Sequence, residues 1–205
     1  MKVGDFICRG KLVQRQVYLD WLKDWREHQV IKVISGVRRC GKSTLFRLYI
    51  NTVDKYLNAL CGSYMFYKVD RYDIRSRQHL KTIGKYYAVD NGLREPKLST
   101  SSSDMGHVLE NIVFLELKRR GNKVTIGKLS QKEVDFVAES KDGITYYQVS
   151  ASVLDENTRR RELEPLQKIP DYHPKILIAM DEIPRSANYG GIRQFHVVDW
   201  LLGVS

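Results

Sequence analysis

The stretch Gly36-Val37-Arg38-Arg39-Cys40-Gly41-Lys42-Ser43 has the spacing G-x-x-x-x-G-K-S of a phosphate-binding loop. Two glycines at that separation let the backbone turn tightly, so that successive N–H groups converge on phosphate oxygens. Lys42 is placed to reach the β- and γ-phosphates of a nucleotide, and the Ser43 hydroxyl to ligate Mg²⁺. A helix opening at this point adds the partial positive charge of its N-terminus. The chemistry expected of the segment is nucleotide binding.

The elements around the loop suit it. Val30-Ile31-Lys32-Val33-Ile34 reads as a buried strand before it, and residues 43–48 as a helix after it. Residues 17–28 place Tyr18, Leu19, Leu22 and Trp25 on one helical face. Residues 52–60 do the same with Val53, Tyr56, Leu57 and Leu60, with Thr52 as the expected N-cap and Gly62 as the break. Strands are expected at 64–69, 85–89, 124–126, 133–138, 144–153, 175–180 and 194–198, with a hairpin turn at Lys141-Asp142-Gly143. A Ser/Thr-rich loop covers 96–103. Asp104 then caps a helix that Gly121 stops, apolar almost all round and so expected to be buried. A further helix covers about 158–168, and Trp200-Leu201-Leu202 closes the pattern.

A second set of chemistry-bearing residues lies on these later elements. Glu110 sits on the apolar helix, where an ionised carboxylate is costly unless it is paired or bound to metal. Asp135 is flanked by Val134, Phe136 and Ala138, whose alternation assigns it to the opposite face of its strand. Gln148 and Ser150 are two apart on the next strand and are expected to share a face. Acid on a helix, acid on a strand and a polar-x-polar pair on the next strand resemble the layout of the PD-(D/E)xK nuclease fold. In that fold the acids hold Mg²⁺ and a lysine helps position the attacking water. Here Gln148-Val149-Ser150 replaces the acid-x-lysine element, so a negative charge and the cation are lost. The expectation is a nuclease-like fold without nuclease chemistry.

Two other features invite functional readings. Ile176-Leu177-Ile178-Ala179-Met180-Asp181-Glu182 has the form of an ATPase Walker B strand, but its distance from the phosphate loop favours a strand of a second domain ending at an Ile183-Pro184 turn. Arg159-Arg160-Arg161 opens a helix against its dipole, which suits either a phosphate contact or, as expected here, a solvated cluster offset by Glu162 and Glu164.

Composition bounds the partners. The 205 residues suit one medium domain or two small ones, and 42% of them are hydrophobic, enough for a core. No apolar run reaches membrane-spanning length, and no basic-then-apolar leader is seen, so no membrane partner is expected. Cys8, Cys40 and Cys61 form no C-x-x-C pair, which predicts reduced thiols and a cytoplasmic location. A net charge of +10 favours polyanions, either a nucleotide or nucleic acid.

The segment 31–44 resembles the start of a prokaryotic family of AAA-type ATPases whose C-terminal domain is similar to PD-(D/E)xK nucleases. Residues 85–94, Gly106-His107-Val108-Leu109-Glu110-Asn111, Glu133-Val134-Asp135-Phe136 and Tyr146-Tyr147-Gln148-Val149-Ser150 resemble that C-terminal domain. Residues 52–73 are similar to the latter part of the family's winged-helix segment. The resemblance implies an α/β chain in three parts. These are a P-loop strand–helix fragment (1–50), a winged-helix remnant (51–77) and a restriction-endonuclease-like α/β domain (78–205). It implies ATP and Mg²⁺ as ligands, held by Gly36, Arg39, Cys40, Gly41, Lys42, Ser43 and Thr44, with Ser43 on the metal. Family members carry a Walker B strand, a sensor strand and a helical lid between the loop helix and the winged helix. Here Tyr49-Ile50 runs straight into Asn51-Thr52-Val53, as in an internally deleted member. Hydrolysis is therefore expected to be lost or weak. A basic nucleic-acid-binding or interaction module is the alternative. One strand cannot form the sheet that supports a phosphate loop, so the N-terminal piece is expected to dock on the second domain, join another copy or stay loosely ordered.

Overall fold

The computed structural model describes residues 16–24, 42–93 and 102–204, and the chain divides into two units, 1–62 and 63–205. Among the described residues of the N-terminal unit there are two helices, α1 (Gln16–Asp24) and α2 (Lys42–Gly62). Leu19 and Leu22 of α1 pack with Leu45 of α2, and Leu48 and Tyr49 flank them. This follows from the helical spacing of the leucines. Tyr18, expected on the same apolar face, is exposed instead. The strand expected at 30–34 and the turn 36–41 lie outside the described residues.

Helix α2 is a single 21-residue element, where the sequence suggested two helices with Thr52 as a cap. Tyr49-Ile50-Asn51-Thr52 contains neither Gly nor Pro, so nothing interrupts the i→i−4 hydrogen-bond ladder there. The domain boundary drawn at 50/51 thus falls inside a helix. That drawn at 77/78 falls within a β-hairpin of the C-terminal unit.

The C-terminal unit is a mixed α/β fold on one eight-stranded sheet, ordered β2-β1-β3-β4-β5-β6-β8-β7. Its strands are β1 (Phe66–Asp73), β2 (Gln78–Ala88), β3 (Lys123–Leu129), β4 (Lys132–Ser140), β5 (Gly143–Val149), β6 (Lys175–Ala179), β7 (Ser186–Tyr189) and β8 (Ile192–His196). The helices are α3 (Ser102–Arg119), α4 (Glu156–Gln167) and α5 (Val197–Leu202). The pairs β1–β3, β5–β6 and β6–β8 are parallel, and the remaining neighbours are antiparallel hairpin partners.

Each face of the sheet has its own core. On one, Leu109, Val113, Phe114 and Leu117 of α3 and Trp200 of α5 pack against Tyr87, Ile126, Phe136 and Tyr147. On the other, Leu163 and Leu166 of α4 pack against Val134, Val137, Leu177 and Ile192. The expected strand at 194–198 ends at His196, whose side chain accepts from the Val198 N–H and caps α5.

Two departures from regular pairing shape the site. Val69 pairs with Lys85 but Arg71 pairs with Leu80, so β2 carries extra residues there. Gly84 lies in this irregularity, where a Cβ would come within 2.2 Å of the Val69 carbonyl oxygen. Thr125 pairs with Val137 but Gly127 with Val134, a bulge that places Asp135 where alternation breaks. Val134 consequently belongs to one core, and Phe136 and Ala138 to the other. They do not form the single apolar face that simple alternation suggested.

Candidate functional site

Glu110 lies one turn before Phe114 on the buried face of α3, and its side chain is 15% exposed. The carboxylate does not face hydrocarbon alone. Its Oε1 accepts from the Tyr87 hydroxyl at 2.6 Å and from Lys85 Nζ at 3.1 Å. Lys85 and Tyr87 are two apart on β2 and so reach the same side of the sheet. Tyr87 is fixed by stacking on Phe114, ring centroids 4.4 Å apart. Lys85 Nζ also lies 2.8 Å from Glu133 Oε1, whose other oxygen is 2.9 Å from Arg71.

Asp135 lies next to this ion-pair chain and keeps partial access to solvent. Its Oδ2 accepts from the Val149 N–H at 2.9 Å, while its own N–H donates to Gln148 Oε1 at 3.4 Å. The Gln148 amide donates in turn to Glu162 of α4 at 3.0 Å. Burial, and then the charge of Glu110, push the Asp135 carboxyl well above the usual carboxylate range, against the opposing pull of Lys85 and the Val149 N–H. Burial works against the Lys85 ammonium, but Glu110, Glu133 and Asp135 outweigh it and raise its pKa. Burial and the neighbouring Glu110 push the Tyr87 phenol up, so it stays a proton donor. An open cleft of about 520 Å³ gives onto the cluster, lined by Phe66, Lys85, Tyr87, His107, Glu110 and Asn111.

The structure therefore holds Glu110 in one bonded set with Lys85, Tyr87, Glu133 and Arg71. It holds Asp135 and Gln148 in a second set with Glu162, close enough for the charges of the two sets to act on each other, and it leaves Ser150 out. Ser150 follows the end of β5, and its hydroxyl donates to the Ser152 carbonyl at 2.9 Å. It also adds members that the sequence reading missed. Lys85 supplies a cation and Glu162 a carboxylate, both from elements outside the helix–strand–strand pattern. The one local signal was the Lys85-x-Tyr87 spacing; which strand would lie beside α3 was not readable.

The donor set does not fit a resident divalent metal. Among the described residues no group of three His, Cys, Asp or Glu side chains could hold a metal ion. One oxygen of each acid, and the Gln148 carbonyl, already has a protein donor. Glu110 Oε1 takes two donors, Asp135 Oδ2 takes a backbone N–H, and the Gln148 carbonyl faces the Asp135 N–H.

The other sequence features take structural roles. Asp181 is buried, accepting from Ser152 Oγ at 2.6 Å and the Val153 N–H at 2.8 Å, and β6 before it is an interior strand of the sheet. The arginines of α4 are offset. Arg160 lies 3.7 Å from Glu156, Arg161 2.9 Å from Glu162, and Arg159 over the Tyr189 ring. Glu164, expected to join them, pairs with Lys132 and Lys168 instead. Cys61 is a free thiol, and Cys8 lies outside the described residues.

Of the nucleotide-loop residues, Gly36, Arg39, Cys40 and Gly41 lie outside the described residues. Lys42 and Ser43 form the first turn of α2, and Thr44 behind them is exposed. No helix among the described residues is long and apolar enough to cross a membrane.

A protein of Haemophilus influenzae, described only as uncharacterised, is 44% identical over 152 residues, which is 74% of this chain and 37% of the relative. The chain thus spans little more than a third of that relative's length. No family model matches the chain, and no solved structure matches it.

Proposed function

We propose that this protein binds ATP with Mg²⁺ through Gly36, Arg39, Cys40, Gly41, Lys42, Ser43 and Thr44. In this reading it is an internally shortened member of an AAA-type ATPase family with a nuclease-like C-terminal domain. The observation that carries the reading is the placement of G-x-x-x-x-G-K-S directly before a 21-residue helix that begins at its lysine. That is where the backbone donors and the helix dipole would both serve a phosphate. Hydrolysis is weak or lost in this reading, because the Walker B and sensor region is missing between Tyr49-Ile50 and Asn51-Thr52-Val53, and Asp181 is held by Ser152 and Val153. The C-terminal unit keeps the acids of a nuclease-like site without their chemistry. Its Gln148 carbonyl is turned to backbone, and Ser150 stands away from the cluster.

The experiment is a thermal melt of the full chain with and without Mg²⁺–ATP. A ligand at about 100 times its dissociation constant stabilises the folded state by about 2.7 kcal/mol, so the melting midpoint should rise by several degrees. Lys42→Ala should abolish the rise. Turnover of ATP should stay at background in both proteins, measured as released phosphate.

A further inference from the structure

We propose that the Lys85 ammonium is the resident cation of the Glu110–Glu133–Asp135 cluster. It takes the charge-neutralising place that a divalent ion has in the nuclease fold, so that the C-terminal unit takes up no such ion. The inference rests on the nuclease-like reading of the C-terminal unit but not on ATP binding, and it is tested without nucleotide.

Lys85 bridges carboxylates from two different elements, 3.1 Å from Glu110 on α3 and 2.8 Å from Glu133 on β4. In the nuclease fold a divalent ion would supply the positive charge for such acids. The protein completes the arrangement with its own donors. Tyr87 takes the Glu110 oxygen that Lys85 also bonds, Arg71 takes the second Glu133 oxygen, and the Val149 N–H takes an Asp135 oxygen. Three carboxyls thus meet two side-chain cations and two neutral donors. Among these five side chains the excess is at most one negative charge, and Asp135, whose carboxyl is pushed upward by burial and then by Glu110, is where it would fall.

The lysine's position is built into the strand. The β2 register slip sets Lys85 opposite Val69, and only glycine fits beside it at position 84, where the Val69 carbonyl approaches. The cleft at Lys85 and Glu110 is open and roomy, so a metal ion is not kept out by bulk. What opposes it is that one oxygen of Glu110 and one of Asp135 already accept protein donors and that Lys85 and Arg71 already supply positive charge. The pattern on β5 has no lysine two residues after Gln148. The structure supplies one from β2.

The test uses the full chain, free of nucleotide, with Mn²⁺ as the probe. Electron paramagnetic resonance should find no Mn²⁺ taken up by the wild-type protein at about 1 mM, and the melting midpoint should stay within about 1 °C. Lys85→Met should lower the midpoint by several degrees, and Mn²⁺ should restore part of the loss. Lys85→Met combined with Glu110→Gln removes one charge of each sign and should melt above the single variant. This keeps the test informative if Lys85→Met alone folds poorly. Mn²⁺ uptake by the wild type that Glu110→Gln abolishes would overturn the proposal. So would a Lys85→Met protein with the wild-type midpoint, or a double variant no more stable than the single one.

Discussion

The described core of the N-terminal unit is three leucines shared between two helices, while the C-terminal unit buries apolar side chains on both faces of an eight-stranded sheet. The chemistry is distributed the other way. The N-terminal unit carries the sharper motif, and the C-terminal unit pairs its acids largely with protein donors. The difference suggests two kinds of stability. A small apolar core leaves more to be gained from a bound ligand, whereas a large core with self-neutralised acids has little to gain from one.

The largest effect should come from the richer core. Phe114 is 1% exposed and stacks on Tyr87, so Phe114→Ala should cost about 3–5 kcal/mol. Leu45→Ala, in the three-leucine cluster, should cost only about 2 kcal/mol, at the low end for a buried leucine, because so small a cluster can collapse around the gap. Urea unfolding of both variants measures the contrast. Equal losses would break it.

A pH effect should come next, and its sign is opposite to that of an ordinary salt-bridged acid. The folded-state pKa of Asp135 is raised above its unfolded value. Its contribution is therefore fully present below the unfolded carboxylate pKa, about 4, and is lost as the pH rises through the folded value. Asp135→Asn should remove that loss, so its urea midpoint should gain on the wild type as the pH rises from 5 to 9. A constant difference across that range would place the raised pKa elsewhere. Glu116 behaves conventionally. Arg119, then Arg120, hold it down to about 2, and its contribution is lost as the pH falls from the carboxylate range toward that value.

The smallest effect should be at Arg160, whose ion pair with Glu156 is fully solvated on both sides, each side chain 74% exposed. Arg160→Ala should change stability by less than about 0.5 kcal/mol. A larger loss would give the arginine run a structural role that its geometry does not show.

Local signals held at several turns, though not at the caps, since Thr52 lies within α2 and Asp104 within α3. Gly121 stops α3 with φ +80°, Gly143 turns the β4–β5 hairpin with φ +121°, and the apolar helix is buried. The contact between Gln148 and Asp135 joins neighbouring hairpin strands, so strand periodicity could point to it. What could not be read depended on the packing of distant strands. Lys85 meets Glu110 across 25 residues of chain only because β2 and β1 hairpin onto the edge of the sheet beside α3. The bulge at Asp135 is a pairing event between β3 and β4, invisible in the alternation of β4 alone. β7 was missed because Ser186-Ala187-Asn188-Tyr189 is four residues long, too short for its alternation to stand out.

The central claim, a nucleotide site at the head of α2, rests on the Mg²⁺–ATP melt. The account predicts a rise of several degrees in the wild-type midpoint and none in Lys42→Ala. An unchanged wild-type midpoint at millimolar Mg²⁺–ATP, or an equal rise in Lys42→Ala, would contradict it.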